Sequence, residues 1–184
     1  MVPNGLMYGL TLNARNFRDP HQMAFCRKKF MGGIPGSKIT KFTMGSSKID
    51  FPIKVELINL EHGNIRHNAL ESARIAANRQ LELQLGLDLY LMKVVPFPHI
   101  VLREHKRINV AQADRFQAGM KRPYGKPSGV AARVKRGEPI ITVMVNPEGV
   151  EVAKVALERA KDKLGLQARV FVRDSKDTAP VVEE

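Results

Sequence analysis

Two groups of side chains in this sequence could do chemistry. The first is a set of lysines and arginines suited to neutralising phosphate. Arg103, Lys106, Arg107, Arg115, Lys121, Arg122, Lys126, Arg133, Lys135 and Arg136 stand against two acids, Glu104 and Asp114. Gly119, Pro123, Gly125, Pro127 and Gly129 interleave them. Glycine lets a backbone approach a phosphate, and Lys or Arg neutralises it. A lone lysine would be read as solvated surface; ten bases against two acids favour RNA. Arg27-Lys28-Lys29 is a second cluster, for which a solubilising role competes closely. Arg66-His67 stands near the start of an expected helix, where the dipole disfavours a cation. A phosphate attracted to the same free N–H groups would give Arg66 a purpose, although a simple exposed arginine fits as well.

The second group is small. The histidines are His21, His62, His67, His99 and His105, and none pair at the i, i+4 spacing of a helical zinc site. Cys26 is the single cysteine, so an internal disulfide is impossible and a reducing compartment fits. It sits beside a basic run, with no recognisable nucleophile elbow. Neither a Walker loop nor a dinucleotide fingerprint occurs; Gly32-Gly33-x-x-Gly36 neither follows a strand nor opens a helix. We therefore expect no catalytic residue, no metal and no cofactor.

The layout of charge supports the first group. The formal net charge is +12 over 184 residues. Residues 1–50 contribute +6 and residues 101–136 contribute +8, while the remainder is slightly acidic. The excess therefore lies in stretches rich in Gly, Pro and polar residues, and the periodic stretches are near neutral. A neutral core with basic, irregular extensions suits a protein that buries loops in nucleic acid. Trp is absent and aromatics are 6% of the chain, which weakens any model built on stacked bases. No apolar run is long enough to span a bilayer, and Met1–Leu12 lacks the layout of a signal peptide.

The elements that must position these residues follow from periodicity. A short strand is expected near Lys38–Met44, and Pro52–Leu60 alternates as a strand. The pattern predicts a helix over Asn64–Leu85, with Leu70, Ala73, Ala77 and Leu81 on one stripe. Asn64 or Asn68 would cap it and Gly86 would end it. Leu87–Val95 and His99–Arg103 read as strands broken by Pro96-Phe97-Pro98. Residues 104–128 form a long basic loop. Gly129–Val134 and Pro139–Val145 read as strands around a turn at Arg136-Gly137. A helix follows, capped by Asn146 with Pro147 at its first position, and ended by Gly165. Its stripe runs Val152/Ala153, Ala156, Ala160, Leu164, and Ala168–Val172 is a last strand. Strands and helices mix without strict βαβ alternation, so the expected class is α+β, two helices on a largely antiparallel sheet. The expected domains are a basic N-terminal arm at 1–50, a single RNA-binding domain at 51–173, and a frayed polar tail at 174–184.

Five stretches occur together in order: Phe30-Met31-Gly32-Gly33-Ile34-Pro35-Gly36; Ile65-Arg66-His67-Asn68-Ala69-Leu70-Glu71-Ser72-Ala73-Arg74; Pro98-His99-Ile100-Val101-Leu102-Arg103-Glu104; Ala113-Asp114-Arg115 with Gly119-Met120; and Gly125-Lys126-Pro127-x-Gly129-x-Ala131-Ala132-Arg133-Val134. Together they resemble the archaeal and eukaryotic large-subunit ribosomal protein family L-ten-e, counterpart of bacterial L-sixteen, over roughly residues 25–173. The resemblance implies an α/β-hammerhead fold and a structural place on the large subunit. Implied partners are large-subunit rRNA, tRNA at or near the A site, and neighbouring ribosomal proteins, in a cytoplasmic ribosome. No membrane and no homo-oligomer are implied. The loop, about Glu104–Lys121, would point toward the peptidyl-transferase region, where the chemistry belongs to RNA. Two departures stand out. The family's Gly-rich stretch before Ala-Asp-Arg reads Asn109-Val110-Ala111-Gln112 here, implying a stiffer loop, and Met1–Leu12 carries no charge. The length looks archaeal. The rival expectation is an RNA-modifying enzyme or an assembly factor.

Overall fold

A computed structural model describes residues 27–105 and 124–174. The expectations for residues 1–26, for most of the basic loop and for the tail beyond 174 lie outside the described residues.

Alternating apolar residues build the larger sheet. β1 (Thr43–Gly45), β2 (Ile53–Asn59), β4 (Tyr90–Val94), β7 (Pro139–Val145) and β8 (Ala168–Asp174) lie in the order β1-β4-β7-β2-β8, each pair antiparallel. Side chains alternate between the two faces of a strand. Val55 and Leu57, Ile141, Val143 and Val145, and Tyr90, Met92 and Val94 therefore form one apolar face. Against it pack α1 (His67–Leu85) and α2 (Val150–Lys161). The helices offer Leu70, Ala73, Ala77 and Leu81 from α1, and Ala153, Ala156, Leu157 and Ala160 from α2. The alanines among them let the two helices lie close to each other and to the sheet, and the leucines fill the space between. The α+β class, with two helices on antiparallel sheet, is as expected.

A second, smaller sheet changes several details. β3 (Gly63–Arg66), β6 (Lys126–Val134) and β5 (Ile100–Glu104) form it in the order β3-β6-β5. The expected helix start at Asn64 is thus corrected, because Gly63–Arg66 pairs with Val134–Ala131. This pairing satisfies backbone groups that a helix start would leave open. Neither asparagine caps α1; Arg66 stands at the N-cap position and gives no side-chain cap bond. Gly86 ends the helix at φ +81°, as expected. Leu87–Leu89, expected as the start of a strand, stays outside the sheet, since pairing with β7 starts at Tyr90.

The turn at Arg136-Gly137 is present, with Gly137 at φ +84°. Its flanking strands part company, however: β6 joins the small sheet and β7 the large one. Buried Asn59 closes this corner. Its Nδ2 donates to the carbonyls of Glu61 and of Lys135, the latter at 3.2 Å. Its main chain donates to Glu138 and accepts from Gly137.

At the start of α2, Asn146 has extended backbone angles but its side chain makes no cap bond. A 3-10 turn at Pro147–Gly149 comes first, so the α-helix proper begins at Val150. Upstream, Ile39 is buried in the core and the Phe42 carbonyl accepts the Val94 N–H. The segment expected as an arm therefore contributes to the packed domain from residue 39 onward.

Candidate nucleic-acid interface

The small sheet and the start of α1 assemble the first basic cluster. Ile65, Ala132 and Val134 turn into the core. Alternation then puts Asn64, Arg66 and Arg133 on the opposite face. Asn64 lies directly across from Arg133, and Arg66 across from Ala131. Arg66 and Arg133 are thus diagonal neighbours, with Cα atoms roughly 7–8 Å apart by sheet geometry. Two like charges at that spacing repel, and an anion between them relieves the repulsion. The Arg66 Nε and the Asn64 Oδ1 are buried without a hydrogen-bond partner among the described residues.

His67 brings in a third cation. The Lys38 backbone N–H donates to its Nδ1 at 3.1 Å. The imidazole is 5% exposed, so it positions the segment and presents little surface to a ligand. Burial holds its pKa below the usual histidine value, with the charges of Arg66 and then Lys38 adding to the effect. Lys38 adjoins the ring through its backbone hydrogen bond, and Arg66 precedes it in the chain. Lys41 acts similarly on Glu71. The Glu71 carboxyl lies below its usual range chiefly through the hydrogen bond from Arg74, burial opposes this, and the charges of Arg74 and then Lys41 add to the lowering. No acid occupies the first turn of α1 and no side chain caps it. A long helix whose start has no side-chain cap and no acid, with Arg66 at its N-cap, Arg133 on the adjoining strand and Lys38 bonded to His67, is suited to a phosphate.

The stem of the basic loop forms the second cluster. Arg103 pairs in register with Pro127, and Glu104 with Lys126, across an irregularity after Leu102. Gly125 closes this stem at φ +73°, where a Cβ would stand 2.5 Å from the Glu104 oxygen and 2.6 Å from the His105 nitrogen. Only glycine tolerates both the angle and the approach. The Arg103 guanidinium lies over the ring of exposed Tyr124, 5.7 Å from its centroid. The cation and the base of the loop are held together by this contact.

The other expected site residues fall elsewhere. Lys135 and Arg136 sit at the corner beyond the far end of β6 from Lys126, about 30 Å away at the usual rise per strand residue. The Lys135 N–H donates to Glu138 Oε2 there at 2.9 Å. Arg27 precedes a 3-10 turn at Lys28–Phe30 that buries nothing, with the Lys29 ammonium over the Phe30 ring. Lys106, Arg107, Arg115, Lys121 and Arg122 lie outside the described residues. Lys38, Lys41 and Tyr124 were not among the residues singled out from sequence. Their isolated positions carry no local signal, because partners from other strands and helices give them their setting.

Among the described residues no three His, Cys, Asp or Glu side chains gather as a metal site. His99 is occupied by the Phe97 carbonyl at 2.9 Å. No helix among the described residues is long and apolar enough to cross a membrane.

Comparison with known proteins gives the family. Residues 20–171 match the family described as Ribosomal protein L16p/L10e. A protein of Thermoplasma volcanium named large ribosomal subunit protein uL16 is 43% identical over 94% of this chain and 98% of its own length. Similar proteins of the same name are found in Methanoculleus marisnigri, at 43% over 85% of this chain and 92% of its own, and in Staphylothermus marinus, at 45% over 83% and 87%. With most of both chains aligned at this identity, and the family match covering most of the sequence, the protein belongs to the L16p/L10e family of ribosomal proteins.

Proposed function

We propose that this chain is a structural constituent of the large ribosomal subunit that binds large-subunit rRNA and catalyses no reaction. The observation that carries this is the cluster of Lys38, Lys41, Arg66 and Arg133 around the uncapped start of α1. An uncapped helix start and nearby cations are the groups that bind phosphate. The loop stem at Arg103, Tyr124 and Lys126 supplies a second contact region. Each contact is independent of base sequence; specificity comes from fitting a folded RNA shape.

The same reading places the loop toward tRNA at or near the A site, close to the peptidyl-transferase region, and the chain among neighbouring large-subunit proteins as a single copy. The RNA-binding unit begins near residue 38, with the N-terminal residues before it as an extension. The enzyme alternative lacks support, since the family and the similar proteins are ribosomal proteins by name. Sedimentation of lysate through a high-salt sucrose gradient tests the proposal. We expect one copy per large subunit. Recovery mainly at the top of the gradient would overturn it.

A further inference from the structure

The outer face of the five-stranded sheet is strongly basic, although the segments that form it are near neutral in sequence. The apolar face of this sheet is covered by α1 and α2. Alternation puts Lys54 and Glu56 of β2, Lys93 of β4, and Arg169, Phe171 and Arg173 of β8 on the other side. Register aligns them in rows across the sheet. Phe171 opposes Glu56, which opposes Thr142, which opposes Lys93. Arg173 opposes Lys54 in the adjacent row. Four cations thus share one face with one acid.

That acid already has its partners. Glu56 is buried, with the Lys54 ammonium at 2.6 Å and the Arg173 guanidinium at 3.9 Å. It fixes the position of both cations and offsets one charge. Lys93 and Arg169 stand exposed on either side. The helical layer on the opposite side of the sheet is balanced: α1 carries two Lys/Arg and two Asp/Glu, and residues 147–164 carry four of each. The domain is therefore electrostatically two-sided.

We propose that this outer sheet face is a second docking surface for the phosphate backbone of folded RNA, separate from the start of α1 and from the loop stem. The inference rests on the RNA-binding reading and extends it, since it orients the domain with its sheet toward RNA and its helices away. The occupant follows from the charge: a surplus of cations sharing one sheet face matches a polyanion. Half-buried Phe171 and Met144 between the cations give apolar surface on which riboses can rest.

The test uses the full chain and protein-free large-subunit rRNA, with affinity measured across a range of salt. A Lys93→Gln/Arg169→Gln double variant removes the two exposed cations on separate strands. Its salt slope is expected to fall by roughly 1.8, at about 0.9 for each phosphate that is no longer neutralised. A control pair on the helical layer, Lys161→Gln/Lys163→Gln, is expected to keep the parent slope. Each single variant should give half of the double's effect, which guards against a folding defect in the double. A sheet variant with the parent's slope overturns the proposal, and this is also what an acidic protein partner would produce. An equal fall in the helical control overturns it too. An unmodified chain whose affinity ignores salt would overturn the RNA-binding reading itself, and this proposal with it.

Discussion

Lys38 and His67 are joined across twenty-nine residues of sequence by a 3.1 Å hydrogen bond from the Lys38 amide to the imidazole Nδ1. This bond ties the segment ahead of β1 to the first turn of α1. It sets the place of Lys38, and it requires a neutral ring with Nδ1 free to accept.

Replacing His67 by Ala leaves the Lys38 N–H without that acceptor and opens a small void. We expect a loss of about 1–3 kcal/mol in urea unfolding. The pH dependence has a defined sign. Because the folded ring has a lowered pKa, the unfolded chain binds a proton more readily. The stability it contributes is present above the unfolded value of 6.5 and is lost as pH falls from there through the lower folded value. The unfolding midpoint of the parent should therefore decline across that window. A His67→Gln chain should lack this share of the decline; an identical pH profile for both would show that the ring does not titrate as described.

Gly125→Ala should disrupt the loop stem. The added Cβ would meet the Glu104 carbonyl and the His105 nitrogen at an angle that favours glycine. A cost of about 1–3 kcal/mol is expected from backbone strain. Hydrogen exchange should show weakened protection at Glu104 and Lys126, while the amides of β2 and β7 stay protected. Uniform protection in the variant would mean the stem does not depend on this glycine.

Asn59→Ala removes the donor that joins the Glu61 and Lys135 carbonyls at the corner between the sheets. Burial makes those unsatisfied groups costly, about 1–3 kcal/mol in thermal or urea unfolding. RNA affinity of the folded variant should equal the parent's, because Asn59 is fully buried and meets no ligand. A normal stability with reduced affinity would reverse this assignment.

Arg66→Gln and Arg103→Gln probe the two proposed contact regions. Each should lower the salt slope of rRNA binding by about 0.9 for one phosphate contact. Both should leave the unfolding midpoint near that of the parent, since neither belongs to the apolar core. Unchanged slopes in both variants would remove these residues from the interface.

Much of the fold was legible because it is written locally. Leu70, Ala73, Ala77 and Leu81 announce α1 through their spacing, and Gly86 ends it through its positive φ. β7 runs from Pro139 to Val145 as the alternation implies. These signals depend on side-chain period and backbone sterics within a few residues. The basic stretch around the loop was legible for the same reason, since its excess of charge lies along a continuous piece of chain.

What tertiary structure decided was which residues meet. The backbone of Asn64 and Arg66 becomes strand only because β6 is there to pair with it. β6 and β7 read as neighbours around a turn, yet they enter different sheets, because hydrogen-bond partners far along the chain outweigh adjacency. Lys38 reaches His67 through folding alone. Lys54, Lys93, Arg169 and Arg173 come from balanced segments, and their charges gather only when four strands align in register. The sequence by itself determined the class, the main elements and the total charge, since these are sums and periods along one dimension. The structure decided where that charge is concentrated, because a surface is assembled from strands that long-range pairing brings side by side.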